Sequence, residues 1–308
     1  MWRYSAAMML CFLRGVGAFA QAPAPSCSPA LLFVSDTQKP MWVETLWLKS
    51  HGNEQATAAL FSELLAQEPT GLFFLGDVVN LGFKQKRWVH VDKMLKTARE
   101  LGFKVHGLLG NHEVMRRPAA GERAFQARFS EHVRTGYCVR QDSVAVVMLN
   151  SNFDKLTREE QEAQRTWYTS TLAALDTAMN VRAVIVCCHH SPYSDSRIVG
   201  SNADVQRVFV APFLQRSKTT LFISGHAHLF EHFSDMGKHF FVIGGGGGLH
   251  HPLSKDRGMK ENLDPEYDPL FHYLSVQRCG ERLVLVSRRL KDDFSGFEDG
   301  RTFELDTP

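Results

Sequence analysis

The chain has 308 residues, 44% hydrophobic and 22% charged, as in a globular protein with a sizeable buried core. Lysine and arginine number 35 against 33 acids, a net charge of +2. These figures exclude a disordered charged tail, a collagen-like repeat and a polybasic binder, so no long nucleic acid is expected as a partner. Residues 1–20 carry a positive charge near their start at Arg3, continue through an apolar stretch and end in Ala18-Phe19-Ala20, the small-x-small pattern of a cleavable signal peptide. The competing reading is a short apolar helix packed on the domain. The apolar run is too short to span a bilayer, and no membrane span is expected elsewhere. Residues 21–29 read as a Pro/Ser linker and 30–308 as one domain, placing the mature protein outside the cytosol, secreted or periplasmic. Of six cysteines, Cys11 lies in the leader. The odd remainder fits no closed disulfide framework, so no disulfide is expected, and Cys187 and Cys188 read as buried thiols.

From Ala30 onward, apolar runs alternate with amphipathic stretches. Strands are predicted at Leu31–Ser35, Leu72–Leu75, Lys104–Leu109, Val144–Leu149, Val184–Cys188, Leu221–Ser224, Phe240–Ile243, Tyr273–Gln277 and Leu283–Arg288. Helical spacing marks Glu54–Gln67, Arg87–Glu100 and Arg158–Leu175. Strand–helix alternation followed by mostly strands points to a layered α/β fold with a mixed β-sandwich. The charged segment Arg289–Phe303 reads as the end of an edge strand plus a tail.

The strand ends carry the chemistry. Asp36-Thr37-Gln38, Gly76-Asp77, Gly110-Asn111-His112, His189-His190 and Gly225-His226-Ala227-His228 each close an apolar run. Alone, such a cluster is a cap or a turn. Together, at the carboxyl ends of strands, they would gather two Asp, an Asn, a Gln and several His in one crevice. Hard oxygens and imidazoles suit Mn, Fe or Zn. In an extended chain residues i and i+2 share a side, so Asp36 and Gln38 would face together, as would His226 and His228.

This order and spacing resembles the calcineurin-like metallophosphoesterases, whose pattern is D-x-H, G-D-x-x-x-x-G, G-N-H-[DE], a histidine after a strand, and G-H-x-H. Here it reads Asp36-Thr37-Gln38, Gly76 to Gly82, Gly110 to Glu113, His189 and Gly225 to His228. The resemblance implies a four-layer α/β/β/α sandwich of two mixed sheets flanked by helices, with two divalent or trivalent metal ions. Asp36, Gln38, Asp77 and His228 would hold the first ion; Asp77 would bridge to the second, held also by Asn111, His189 and His226. His112 would face the leaving oxygen as the catalytic acid. His189 rather than His190 matches the ligand position, and Glu231 and His232 would support the ligands from behind. The implied activity is hydrolysis of a small phosphate monoester or nucleotide by a metal-bound hydroxide. The alternatives are a phosphodiesterase, a non-catalytic metal-containing binding protein, and cleavage of a lipid or sulfate ester.

Two positions depart from the pattern. Gln38 replaces the usual His with a weaker, neutral oxygen ligand. Asn80 stands where relatives carry an Asp that orients the histidine, or the Tyr of purple acid phosphatases, so no purple colour is expected. Three further stretches carry two readings each. Met41–Asn53 is either a loop roofing the site or a packed helix start. Arg116-Arg117 either grips phosphate or is solvated. The glycine run Gly244–Gly248 is either an anion nest or a tight crossover.

Overall fold

The computed structural model describes residues 26–308 except 255–257 and 259. The predicted leader, residues 1–20, lies outside the described residues. Strand β1 (Leu31–Val34) is followed by helix α1 (Asn53–Ala66), β2 (Gly71–Phe74), α2 (Gln85–Glu100), β3 (Val105–Gly107) and the short helices α3 (Asn111–Val114) and α4 (Pro118–Gln126). Then come β4 (Tyr137–Gln141), β5 (Val144–Met148), α5 (Arg158–Thr177), β6 (Ala183–Cys187) and β7 (Thr219–Ser224). The chain closes with β8 (Phe230–Asp235), β9 (Lys238–Ile243), β10 (His272–Cys279), β11 (Arg282–Leu290) and β12 (Phe297–Asp306).

The strands form two six-stranded sheets, ordered β12-β11-β10-β1-β2-β3 and β4-β5-β6-β7-β9-β8. Both are mixed: β1-β2-β3 and β5-β6-β7-β9 run parallel, while β10 pairs antiparallel with β1. The first sheet therefore joins the two ends of the described chain. Alternation along the strands splits the core into layers. Leu31, Phe33, Phe73 and Leu75 face Val146, Ile185, Ile223 and Phe241 between the sheets. Leu32, Val34, Leu72 and Phe74 turn outward under α1 and α2, packing on Leu60, Leu64, Trp88 and Leu95. Val147, Val184 and Phe222 do the same under α5, on Tyr168 and Leu172. The result is the α/β/β/α sandwich that the resemblance implied. Strands buried on both faces need apolar residues at every position, which is why they read as continuous runs. No helix among the described residues is long and apolar enough to cross a membrane.

Two expectations are corrected. Cys27 and Cys279 form a disulfide across a sequence separation of 252. An odd cysteine count excludes a closed set but not a single pair, and only the pairing of residue 27 alongside the end of β10 brings these two together. Cys138, Cys187 and Cys188 are free, the last two buried. The expected tail of Arg289–Phe303 instead runs into β12, which pairs along β11 and forms the edge of the sheet.

Candidate metal centre

The parallel strands β1, β2, β6 and β7 deliver their carboxyl ends side by side, and backbone hydrogen bonds tie the loops that follow. Asp36 N donates to Gly76 O (3.1 Å), Gln38 N to Asp77 O (3.0 Å) and Gly225 N to His189 O (2.9 Å). Close approach demands glycine at two of these turns. A Cβ on Gly225 would stand 1.9 Å from Ser35 Oγ, and one on Gly76, at φ +89°, would stand 2.6 Å from Gly110 N. Asp36, Asp77 and His226 themselves have positive φ, at 61°, 49° and 67°. Asp36 and His226 are thus aimed by left-handed turns, and the strand-like alternation expected to align them with Gln38 and His228 is not what positions them.

All seven residues that the motifs singled out as ligands, and His112, are brought to one cleft. On one side His228 Nε2 lies 3.3 Å from Asp36 Oδ1 and 3.3 Å from the Gln38 amide. With its oxygen turned to His228, the Gln38 amide nitrogen donates to the carbonyls of Asp36 (3.1 Å) and Asp77 (2.7 Å). On the other side Asp77 Oδ2 is 3.2 Å from His189 Nε2, which is 3.1 Å from Asn111 Oδ1. Asp77, His189 and His226 each offer a donor atom within 4.8 Å of the others, an arrangement that can hold a metal ion. The donors are hard oxygens and imidazole nitrogens, and buried Asp36 Oδ1 has no hydrogen bond beyond its 3.3 Å ionic contact with His228 Nε2. A buried carboxylate oxygen short of hydrogen bonds is costly, and a cation would satisfy it.

Charge couples these groups. Burial pushes Asp77 upward, but the facing His189, His112 and His226 hold its carboxyl well below the usual range. Burial works against a charged His189, yet Asp77 carries it up to about 9. Burial with His190 and His189 alongside keeps His226 low, whereas for His228 burial is outweighed by Asp36, which raises it. His190 instead pairs through Nδ1 with Ser151 Oγ (2.8 Å), and burial presses it down to about 3.

His112 is held from both ends: its backbone N donates to Asp77 Oδ1 (2.8 Å), and its Nδ1 lies 3.2 Å from Asn80 O. The Asn80 side chain turns away to donate to Lys39 O (2.7 Å). Charged neighbours come from elsewhere, with Asp77 Oδ2 3.8 Å and Glu44 Oε1 3.9 Å from Nε2. Glu44 sits in the Met41–Asn53 stretch, which is a loop with one short turn and leaves Trp42 and Trp47 exposed. Nothing in the sequence marked Glu44.

A second residue without an assigned role is Glu113. Its carboxylate accepts from Asp77 N (2.9 Å), Gly110 N (2.9 Å) and Val79 N (3.0 Å), clamping the β2 and β3 loops together. The acidic fourth place of the G-N-H-[DE] motif was the available signal. Burial and the Asp77 charge push Glu113 up to about 7, against the pull of its Val79 and Gly110 bonds. The glycine run spends its amides on structure: Gly246 N donates to Ser35 O (2.9 Å) and Gly248 N to Asp36 O (2.9 Å). Glu231 accepts from Asp195 N (2.6 Å) and Ser194 Oγ (2.7 Å), and His232 pairs with His239 (3.0 Å). Arg117 lies over the Phe83 ring at 5.4 Å.

Fold and site are those of a metal-dependent hydrolase. The family profile described as calcineurin-like phosphoesterase matches residues 30–230, and the chain belongs to that family of metal-dependent phosphoric ester hydrolases. No curated protein sequence matches it. The chain is similar in fold to GAP50, the anchor in the inner membrane complex of Plasmodium, at a TM-score of 0.70 and 14% identity over 92% of this chain and 90% of that one. It is similar to the purple acid phosphatase PPD1 from yellow lupin (Lupinus luteus) seeds, with a TM-score of 0.63 and 14% identity over 92% of this chain and 54% of that one. A dimetal phosphatase from Danio rerio gives a TM-score of 0.53 and 13% identity over 91% and 100%.

Proposed function

We propose that the chain is a dinuclear phosphatase acting outside the cytosol, secreted or periplasmic, on a small phosphate monoester or nucleotide. Asp36, Gln38 and His228 would hold one ion and Asn111, His189 and His226 the other, with Asp77 between them. The observation that carries this reading is the convergence of the Asp77, His189 and His226 donor atoms within 4.8 Å, beside the Asp36–His228 contact at 3.3 Å. When bound, such a pair of cations acidifies water and offsets the charge that builds on the phosphoryl oxygens.

The chain's own residues would do the rest. Asp77 is fixed by the His112 amide, so its second oxygen stays directed at His189. A carbonyl can only accept, so Asn80 O sets Nδ1 of His112 as the protonated nitrogen. In the imidazolium form Nε2 carries a proton as well, and that is the proton His112 would hand to the departing oxygen. The Cys27–Cys279 disulfide supports an oxidising compartment, as does the leader-like residues 1–20.

The test compares manganese-loaded protein on p-nitrophenyl phosphate and bis(p-nitrophenyl) phosphate, with metal counted by elemental analysis. Two ions per chain, faster turnover of the monoester, and rates down about a thousandfold in Asp77→Asn and His112→Ala are expected. Two bound ions without turnover of either ester would instead assign the chain a binding role.

A further inference from the structure

On the His112 side of the cleft the chain opens into a cavity of about 940 Å³. Three contacts fix its place. Leu81 in its wall follows Asn80, whose carbonyl meets His112 Nδ1. Lys39 in its wall accepts from the Asn80 side chain. Glu44, between the lining residues Val43 and Thr45, reaches to 3.9 Å from His112 Nε2. The cavity therefore adjoins the imidazole that would serve the leaving oxygen, not the inner His189–His226 side.

Its wall has two characters. Met41, Trp42, Val43 and Leu81 are apolar, and Trp42 is 77% exposed. An indole held in water offers a large flat face for a ring to cover. The remainder carries Lys84, Arg87 and Arg116, none of them in an ion pair among the described residues. Arg87 Nε is buried without a partner. Glu54, the lining acid, is already taken by Lys39 at 2.5 Å. Guanidinium groups left unpaired beside a phosphate-processing centre suit a second phosphate, which they can grip through paired hydrogen bonds. The volume is at the upper end of small-molecule sites, far more than one phosphoryl group fills.

We infer that this cavity is a leaving-group subsite selecting phosphate esters whose alcohol half carries a flat ring and a second phosphate, the chemistry of a nucleoside bisphosphate. The inference rests on the phosphoesterase reading above. The scissile phosphate would lie at Asp77, the ring against Trp42, and the second phosphate at Lys84, Arg87 and Arg116. Water supplies the new P–O bond, the bond to the leaving oxygen breaks, that oxygen takes the proton, and the second phosphate leaves intact with the nucleoside.

The experiment measures kcat/KM of manganese-loaded protein for adenosine 3′,5′-bisphosphate, adenosine 5′-phosphate and p-nitrophenyl phosphate. The bisphosphate is expected to be preferred over the monophosphate by about tenfold or more. Lys84→Ala, Arg87→Ala and Arg116→Ala should each cut that preference about tenfold, through KM. Trp42→Ala should weaken both nucleotides relative to p-nitrophenyl phosphate. Lys96→Ala, an exposed cation farther along α2 paired with Glu100 at 3.8 Å, should leave the preference intact. Turnover of p-nitrophenyl phosphate without preference for the bisphosphate overturns the inference, as does a preference that survives all three cation variants. So does turnover restricted to esters presented on lipid vesicles. If no ester is hydrolysed, the phosphoesterase reading fails instead, and the subsite is decided by equilibrium dialysis of adenosine 3′,5′-bisphosphate. Binding that Arg87→Ala abolishes upholds it, and no binding removes it.

Discussion

Glu113→Gln isolates the clamp between the two loops that carry Asp77 and Asn111. Oε2 of Glu113 accepts from both Asp77 N and Gly110 N, and Oε1 from Val79 N. A carboxamide has one acceptor oxygen and one donor nitrogen. With the oxygen toward Asp77 and Gly110, the amide nitrogen opposes the Val79 N–H; flipped, it opposes two. At least one buried donor is left facing a donor, which costs about 1–3 kcal/mol. Glu113→Ala strands all three, and with partial refilling by water should cost about 3–5 kcal/mol.

Metal makes this prediction sharper. Burial and the neighbouring Asp77 charge push Glu113 up to about 7, so near pH 7 part of the population is neutral and the loss of charge on going to Gln is partly offset. Cations bound at Asp77 would remove that repulsion and leave a full carboxylate accepting three N–H bonds. Manganese should therefore raise the urea midpoint of the wild type more than that of Glu113→Gln, and the variant should retain less metal by elemental analysis. Unfolding free energies equal within about 0.5 kcal/mol and equal metal content would refute the clamp.

Cys27→Ser should lose about 2–5 kcal/mol in urea and become insensitive to dithiothreitol, because the cross-link closes a loop of 252 residues; a wild-type midpoint that reductant does not move would contradict this. Burial pushes Glu231 up to about 8 from an unfolded value near 4.5, so between those limits the folded chain holds a proton that the unfolded chain has lost. Stability should then fall as pH rises through that window, by up to about 1.4 kcal/mol per pH unit, and Glu231→Gln should flatten the slope; parallel urea-midpoint profiles from pH 5 to 8 would count against it. Gly225→Ala would place a Cβ 1.9 Å from Ser35 Oγ and 2.5 Å from Asp36 Oδ2. It should destabilise by about 1–3 kcal/mol and lower metal content at the Asp36 side, so an unchanged metal stoichiometry would show that the turn can yield.

Several of the strands legible in the sequence are buried on both faces, where burial leaves no polar positions, as in LLFV of β1 and AVIVC of β6; β11 (RLVLVSRRL), whose burial alternates, was legible as well. Strands β4 (YCVRQ) and β8 (FEHFSD) mix polar residues into partly exposed edges and left no such run. Helix α4, at PAAGERAFQ, is nine residues long and buries only Gly121, Ala124 and Phe125, too short an apolar stripe to stand out. The ligand set was readable because each member sits at a strand end behind a recognisable motif. Glu44 was not, because a loop carries it to His112 from outside any motif, and neither was the disulfide, whose halves meet only after the first sheet closes. The geometry behind the motifs was misjudged where it depended on left-handed turns rather than strand pleat, at Asp36 and His226.

Those turns bear on what the centre accepts. A non-glycine residue held at positive φ costs about 1 kcal/mol or more, and Asp36, Asp77 and His226 all pay it within one cleft. The cross-loop bonds from Asp36 N, Gln38 N and Gly225 N hold the strained backbone in place, so the donors are aligned before any ion arrives. Ordering them therefore does not weaken metal binding. Among the donors gathered there only Asp36 and Asp77 carry negative charge; Gln38, Asn111 and the imidazoles are neutral oxygen and nitrogen ligands. Two dications held by two carboxylates would keep a surplus of about two positive charges, which matches a phosphate monoester dianion and exceeds the single charge of a diester. A diester turned over faster than its monoester would mean that steric access, not this charge balance, sets the choice.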